Sequence, residues 1–136
     1  MDAKHKKIAI RLLMEKSNRN LEQAIKNAEL EYWDLVANRL YYSIFHAVTA
    51  LLLKDGHKSN SHKGTSSQFG MYYVIPGIFS KEDGSFYSRL QTMREKADYQ
   101  NIFSLTEQQG KEYINKTLDL QKRILEYISH NINDEI

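Results

Sequence analysis

Residues 38–53, NRLYYSIFHAVTALLL, place a few polar side chains in a segment that is otherwise apolar enough to be buried. Four of them share one face of a predicted helix, at i, i+3, i+4 and i+7 over about 10 Å: Arg39, Tyr42, Ser43 and His46. An arginine offers a fork of donors to phosphate, a histidine moves a proton near neutral pH, and a tyrosine stacks on a base. These are the groups needed for metal-free RNA cleavage, with His46 as general base toward a 2′-hydroxyl and Arg39 stabilising charge on the phosphate.

The same side chains also suit a structural role, and the sequence leaves both roles open. Histidine and tyrosine on an apolar helix often pack in a core or an interface, with their polar atoms hydrogen-bonded. A buried Arg39 requires an acidic side chain or a bound anion as its partner. Asp98 is one candidate, although Arg94, four residues before it, is placed to form a helical ion pair with Asp98 instead.

Composition limits the class of protein. The 136 residues fit one domain, residues 1–136, with its own hydrophobic core, and 26% charged with 41% hydrophobic residues is a globular balance. The net charge of +2 permits polyanion binding without arguing for it. The chain has no cysteine, which excludes disulfides, thiolate zinc sites and cysteine nucleophiles.

Neither the N-terminus nor the apolar segment of the second helix has the features of a targeting or membrane segment. The basic N-terminus, MDAKHKKIAIRLLMEK, has an apolar run too short and too interrupted for a secretory signal. Residues 40–53 carry no formal charge apart from a titratable histidine, but they fall short of the roughly 20 residues needed to span a bilayer. We therefore expect a cytoplasmic protein with no membrane association, in which residues 40–53 form a buried helix.

The chain has one proline and six glycines, and this low number of helix-terminating residues predicts long helices. The expected fold class is all-α, an antiparallel bundle of four to five helices with short connections. Apolar periodicity predicts a first helix at residues 3–29, in which SNRN is a candidate for a local break in the helix. It predicts a second helix at residues 32–54, ending at Gly56. A third helix is predicted from an N-cap at Ser61 or Thr65 to Pro76. A fourth is predicted to begin at Ser85, after a turn formed by KEDGS, and to end at about residue 99. A long fifth helix is predicted to follow an N-cap at Ser104 or Thr106.

Three motifs follow one another along the chain: ANRLYYSIFHAVTALLL, SHKGTSSQF and LQTMREKADY, the last followed by a long C-terminal helix. In this order they resemble the HEPN domain (higher eukaryotes and prokaryotes nucleotide-binding), in its branch of small stand-alone prokaryotic proteins. The resemblance covers most of the chain. It implies an up-and-down helical bundle that is commonly a homodimer. It also implies RNA or a nucleotide as ligand, and a minimal nucleotidyltransferase as partner protein in a toxin–antitoxin or defence system.

Many HEPN proteins are metal-independent ribonucleases that use an arginine and a histidine separated by four to six residues and brought together across a dimer. Six residues separate Arg39 from His46, which fits that spacing on helix two. The family's nucleases carry the motif later, near the final helix, and there this chain has Arg94, Asp98 and Tyr99, with a tyrosine where the histidine is expected. The resemblance therefore implies that any catalysis depends on Arg39 and His46, or on Arg94 with Asp98 and Tyr99 in an altered role.

The residues expected to bind RNA or a nucleotide are Tyr42, His62, Lys63, Arg94, Asp98 and Tyr99. His62 and Lys63 lie where a helix N-terminus can hold phosphate. Two histidines, His57 and His62, without a nearby carboxylate make a poor zinc site, so no metal and no cofactor is expected. The alternative is a non-catalytic helical dimer that binds a nucleotidyltransferase through the same polar residues.

Overall fold

A computed structural model describes residues 2–99 and 105–132. Within these ranges the chain forms five α-helices and one π-helical turn and no strand, which confirms the predicted all-α bundle. The elements in chain order are α1 (Ala3–Glu29), α2 (Trp33–Lys54), α3 (His62–Phe69), the π-turn (Gly70–Val74), α4 (Lys81–Tyr99) and α5 (Glu107–Ile132). No helix in the described part of the chain is long and apolar enough to cross a bilayer.

Helix α2 lies at the centre of the bundle and packs against α1, α3, α4 and α5. Twelve of its residues are buried, in agreement with its nearly continuous apolar sequence. Helices α1 and α2 form an antiparallel hairpin that is joined by a reciprocal pair of buried hydrogen bonds. Ser17 Oγ donates to the Ser43 carbonyl over 2.7 Å, and Ser43 Oγ donates to the Ser17 carbonyl over 3.0 Å. The SNRN segment does not interrupt α1, because its serine is turned into this contact.

Helix α2 ends where the sequence predicted, next to Gly56. This glycine has φ +80°, and its N–H donates to the Leu53 carbonyl while the N–H of His57 donates to the Leu52 carbonyl. Together these two bonds form a Schellman motif, which satisfies the last carbonyls of the helix. Next to it, Asp55 accepts hydrogen bonds from the buried Lys54 ammonium and from the Tyr73 hydroxyl, so the π-turn is fixed to the end of α2.

Of the starts of the last three helices, two were predicted correctly and one was not. Ser61 Oγ accepts from the N–H of Gly64 at the start of α3, so Ser61 is the cap and Thr65 is inside the helix. Helix α5 starts with a reciprocal capping box between Thr106 and Gln109. The other candidate cap, Ser104, lies outside the described residues.

Helix α4 starts at Lys81, so the predicted start at Ser85 is wrong. Ser80 Oγ accepts from the N–H of Asp83, and the Asp83 carboxylate accepts from the N–H of Ser80. These two reciprocal bonds form a capping box, which allows the KEDGS segment to form the first turn of the helix although the segment contains a glycine. The third helix is also shorter than predicted, since α3 ends at Phe69 and is followed by the π-turn.

Helix α5 closes the bundle with a row of buried residues that includes Thr117, Leu120, Ile124 and Ile128. Leu118, on the same helix, is 40% exposed. The first turn of α5 approaches α2 very closely at Gly110. A Cβ on this glycine would lie 2.8 Å from Cε3 of Trp33, so only glycine fits against that indole ring without displacement.

Candidate functional site

Tyr42 is the centre of the site, because four of the predicted functional residues surround its ring. The distances to the ring centroid are 6.0 Å from Arg39 Cζ and 5.9 Å from Arg94 Cζ. The centroids of the His46 and His62 rings lie 5.9 and 5.7 Å away. We call these five residues the Tyr42 cluster. Helices α2, α3 and α4 therefore bring together residues that are separated by up to 55 positions in sequence.

On one side of Tyr42, helices α1 and α2 enclose a groove of about 450 Å³. We call it the basic groove; its lining residues are Lys16, Arg19, Asn20, Gln23, Asn38, Arg39, Tyr42 and His46. Three of them are cations and none is a carboxylate. Because the other polar groups are neutral, the groove favours an anion such as a phosphodiester.

Arg39 is oriented by α1. Its Nη1 donates to Asn20 Oδ1 at 3.1 Å and to Gln23 Oε1 at 3.3 Å. Among the described residues no carboxylate forms an ion pair with it, so the candidate pairing with Asp98 is wrong. Neutral amides hold the guanidinium in place without neutralising it, which leaves its charge available to a ligand.

His46 lies half-buried in the basic groove with an unsatisfied nitrogen. Its Nδ1 is buried and has no hydrogen-bond partner among the described residues. Burial lowers the pKa of His46 below its ordinary 6.5, and the charges of Lys16 and Arg39 lower it further. The imidazole is therefore neutral at pH 7 and able to accept a proton.

On the other side of Tyr42, the buried Tyr41 fixes His62. The two residues share a hydrogen bond of 2.7 Å between the Tyr41 hydroxyl and His62 Nδ1. Burial raises the pKa of Tyr41 well above its usual range, so the phenol keeps its proton. Burial, with the charge of Arg94, lowers the pKa of His62. Both side chains are therefore neutral at pH 7, and the hydrogen bond between them holds the His62 ring in place.

Arg94 stacks on both tyrosines of the YY pair. Its Cζ lies 4.9 Å from the centroid of Tyr41, closer than the distance to Tyr42, and its Nε is buried without a hydrogen-bond partner among the described residues. The predicted i, i+4 pair with Asp98 is present, with Nη1 and Oδ2 3.4 Å apart. This long contact with a partly exposed carboxylate satisfies only part of the guanidinium.

Three predicted residues stand apart from the cluster. Ser43, four residues after Arg39 on α2, is fully buried and its hydroxyl donates to the Ser17 carbonyl. Lys63 is exposed on the first turn of α3, next to His62. Tyr99 is 80% exposed at the end of α4, and none of its described contacts joins it to Tyr42.

The contribution of α1 to this site was not predicted from the sequence. Lys16, Arg19, Asn20 and Gln23 recur at helical spacing, and all line the basic groove. A signal was available, because Asn20 is a polar residue on the buried face of an amphipathic helix. In the part of the chain that the structure describes, no group of three or more His, Asp or Glu side chains is arranged to hold a metal ion.

Comparisons with known proteins point to one family. The model of the HEPN domain family matches residues 10–130. A UPF0332 protein of Thermotoga maritima is 35% identical over 92 residues, covering 65% of this chain and 70% of the relative. "Putative toxin MJ0605" of Methanocaldococcus jannaschii is 37% identical over 91 residues, covering 66% and 67%. A UPF0332 protein of Archaeoglobus fulgidus is 31% identical over 90 residues, covering 66% and 71%. Since the family model spans nearly the whole chain, including the three motifs and the Tyr42 cluster, this protein belongs to the HEPN domain family.

Proposed function

We propose that this chain is a toxin-type HEPN protein that binds RNA in the basic groove and cleaves it without a metal ion. The observation that carries the proposal is the groove itself, whose described lining combines three cations with the imidazole of His46 and includes no carboxylate. Family membership supports it, and so do two relatives from M. jannaschii whose names contain "Putative toxin".

The chemistry follows from the positions of the two central residues. Neutral His46 takes the proton of a 2′-hydroxyl, and the 2′-oxygen attacks the adjacent phosphorus. The bond from phosphorus to the 5′-oxygen breaks, giving a 2′,3′-cyclic phosphate and a 5′-hydroxyl whose proton comes from water. Arg39 stabilises the charge that develops on the phosphate oxygens, since its hydrogen-bond partners among the described residues are neutral amides.

A second candidate function is a non-catalytic helical homodimer that binds a minimal nucleotidyltransferase. It is favoured by two apolar side chains on α1, Ile8 and Leu12, which are 44% and 53% exposed. Ile8 lies two turns and Leu12 one turn before Lys16 on α1. Both therefore extend the helix face that carries Lys16, toward the end of the basic groove. On this reading Arg39 and His46 bind the polar groups of a protein rather than RNA.

The deciding experiment is cleavage of a mixed single-stranded RNA pool by the purified protein in excess EDTA. We expect His46→Gln and Arg39→Ala to lose at least about 100-fold in rate, which is the usual contribution of a general base or a charge-stabilising donor. DNA of the same sequence should remain intact because it lacks the 2′-hydroxyl. The matched controls are His130→Gln and Arg11→Ala, which change exposed residues outside the groove.

Thermal melts of all variants separate the two candidates. A catalytic site predicts that His46→Gln and Arg39→Ala keep a Tm close to that of the wild type while activity is lost. Full activity in His46→Gln would contradict the assignment of the base. An inactive wild type whose groove variants lose the dimer would establish the second candidate instead.

A further inference from the structure

A cavity of about 410 Å³ lies between the end of α2, residues 57–61 and the start of α3. We propose that it is a pocket for one unpaired nucleobase and its phosphate, and that it determines which base stands next to the cleaved bond. The inference rests on the proposed function for its use in RNA recognition. Its volume lies within the roughly 300–1,000 Å³ that is typical of small-molecule sites.

The lining of this base pocket combines an apolar floor with a polar rim. Phe45, Leu52 and Leu53 form part of the floor, whereas Lys58 and Asn60 belong to the rim. None of the described residues that line the cavity is a carboxylate. A nucleobase has apolar faces and polar edges, so it matches a floor of this kind with an amide above it. A lysine on the rim fits the attached phosphate.

The base pocket is continuous with the Tyr42 cluster. Phe45 and His62 both line the pocket, and their ring centroids are 4.6 Å apart. Phe45 also lies 5.9 Å from Tyr42 and 5.5 Å from His46, measured between ring centroids. An RNA strand with a phosphate at the basic groove therefore has a neighbouring base within reach of Phe45. The His62 ring lies at this junction.

The wall of the pocket is held in place by the rest of the fold. Gln68 Nε2 donates to the Lys58 carbonyl over 2.7 Å, and Thr65 Oγ1 donates to Ser59 Oγ over 3.0 Å. The ring of His57 stacks on that of Tyr72, with centroids 3.8 Å apart and planes 6° from parallel. A loop that only faced solvent would not need these attachments. Because they exist before a ligand arrives, binding loses little free energy to ordering the wall.

The test is an NMR titration of the full chain with each of the four nucleoside 5′-monophosphates, and with inorganic phosphate for comparison. We expect the mononucleotides to shift the amide resonances of residues 57–61. Affinities should differ between bases by about 3–10-fold, the effect of one hydrogen bond gained or lost at a base edge. Mononucleotides contain no bond for this protein to cleave, so the result does not depend on catalysis.

Thr49→Phe fills the pocket from α2, and Thr92→Phe is its matched control. Both threonine hydroxyls donate to the carbonyl four residues earlier, Thr49 to Phe45 over 2.7 Å and Thr92 to Ser88 over 3.2 Å, so the two variants lose the same local bond. We expect Thr49→Phe to abolish the shifts and Thr92→Phe to preserve them. Asn60→Ala changes an exposed loop residue and should reduce the difference between bases even if Thr49→Phe misfolds.

The outcomes separate this inference from the proposed function. Equal shifts with inorganic phosphate would reduce the pocket to an anion site and overturn the base assignment. Unshifted resonances at residues 57–61, in a protein that cleaves RNA through His46, would overturn the pocket alone. Base-dependent shifts in a protein that leaves RNA intact would preserve the pocket and remove the catalytic proposal.

Discussion

At the scale of single residues, the Tyr42 cluster depends on two imidazoles that the fold keeps neutral. For His46 the cause is burial, together with the charges of Lys16 and Arg39; for His62 it is burial and the charge of Arg94. Neutral rings next to cations are suited to accepting or donating single protons near pH 7. The same arrangement makes a protonated ring unfavourable in the folded protein.

This preference predicts that stability falls on mild acidification. Unfolding returns both histidines to an ordinary pKa of 6.5, so the unfolded chain binds more protons than the folded one below that pH. Stability is therefore greatest above about pH 6.5 and decreases as the pH falls through the lower pKa values of the folded state. We expect Tm to drop by about 2–5 °C between pH 7.5 and pH 5, the shift that roughly 1 kcal/mol causes in a domain of this size.

Melting curves of His46→Gln and His62→Gln across this range provide the check. Each variant should flatten the pH dependence, and His130→Gln, at an exposed position on α5, should follow the wild type. Asp55 and Asp83 also have lowered pKa values in the folded protein. Their contribution to stability is lost only below the ordinary aspartate pKa of 3.8, which lies outside this pH range. An unchanged slope in both cluster variants would refute this account.

At the scale of helices, the position of α5 depends on the contact between Gly110 and Trp33. Gly110→Ala adds a Cβ 2.8 Å from Cε3 of the indole and nearer still to Cζ3, so the ring or the helix must move. We expect a loss of about 1–3 kcal/mol in the free energy of unfolding, as is usual for overpacking, measured by urea titration.

Gly70→Ala is the matched control for this substitution. Gly70 has a helical φ of −59°, and a Cβ there would meet nothing within 4 Å. The change should be neutral or stabilising by up to about 1 kcal/mol, because alanine restricts the unfolded chain more than glycine does. Equal effects of the two substitutions would show that the indole contact does not position α5.

Much of this helical framework could be predicted from the sequence, for identifiable reasons. Periodicity gave the bounds of α1 and α2 closely, and Gly56 marked the end of α2 because a Schellman motif favours glycine at a positive φ. The start of α4 was missed since Gly84 obscured the capping box of Ser80 and Asp83. The π-turn had no local signal, as it arises where Tyr73 reaches the end of α2.

The site was predictable only where one helix carries it. Arg39, Tyr42 and His46 share a face because of their spacing, which needs no tertiary information. That Lys16 lies beside them depends on the register of the α1–α2 hairpin, which the buried pair Ser17 and Ser43 determines. Sequence spacing within one helix cannot supply such a register. The functional roles of these residues stay predictions.

At the scale of the whole molecule, the exposed apolar side chains on α1 predict self-association. Ile8 and Leu12 form a row on the face that leads to the basic groove, and burying such side chains is the usual basis of a dimer interface. We expect light scattering to give twice the mass of the chain for the wild type. Leu12→Asp should give the monomer mass, because it places a charge inside the interface.

Leu30→Asp is the control for the dimer, since Leu30 is 62% exposed at the opposite end of α1. It should leave the mass unchanged. A monomeric wild type at micromolar concentration would contradict the proposed homodimer. Dissociation by both substitutions would point to general solubility effects and not to a defined interface.

The central position of α2 has a consequence for how this protein can be regulated. The helix that carries Arg39, Tyr42 and His46 is also the one that every other α-helix packs against. Its buried residues are close-packed, so it cannot turn or slide without disturbing the core. A bound effector therefore has little scope to switch the site off by bending it. For the proposed site we therefore expect inhibition from outside the helix, through a partner that covers the groove, a chemical group attached at its rim, or removal of the whole protein by a protease.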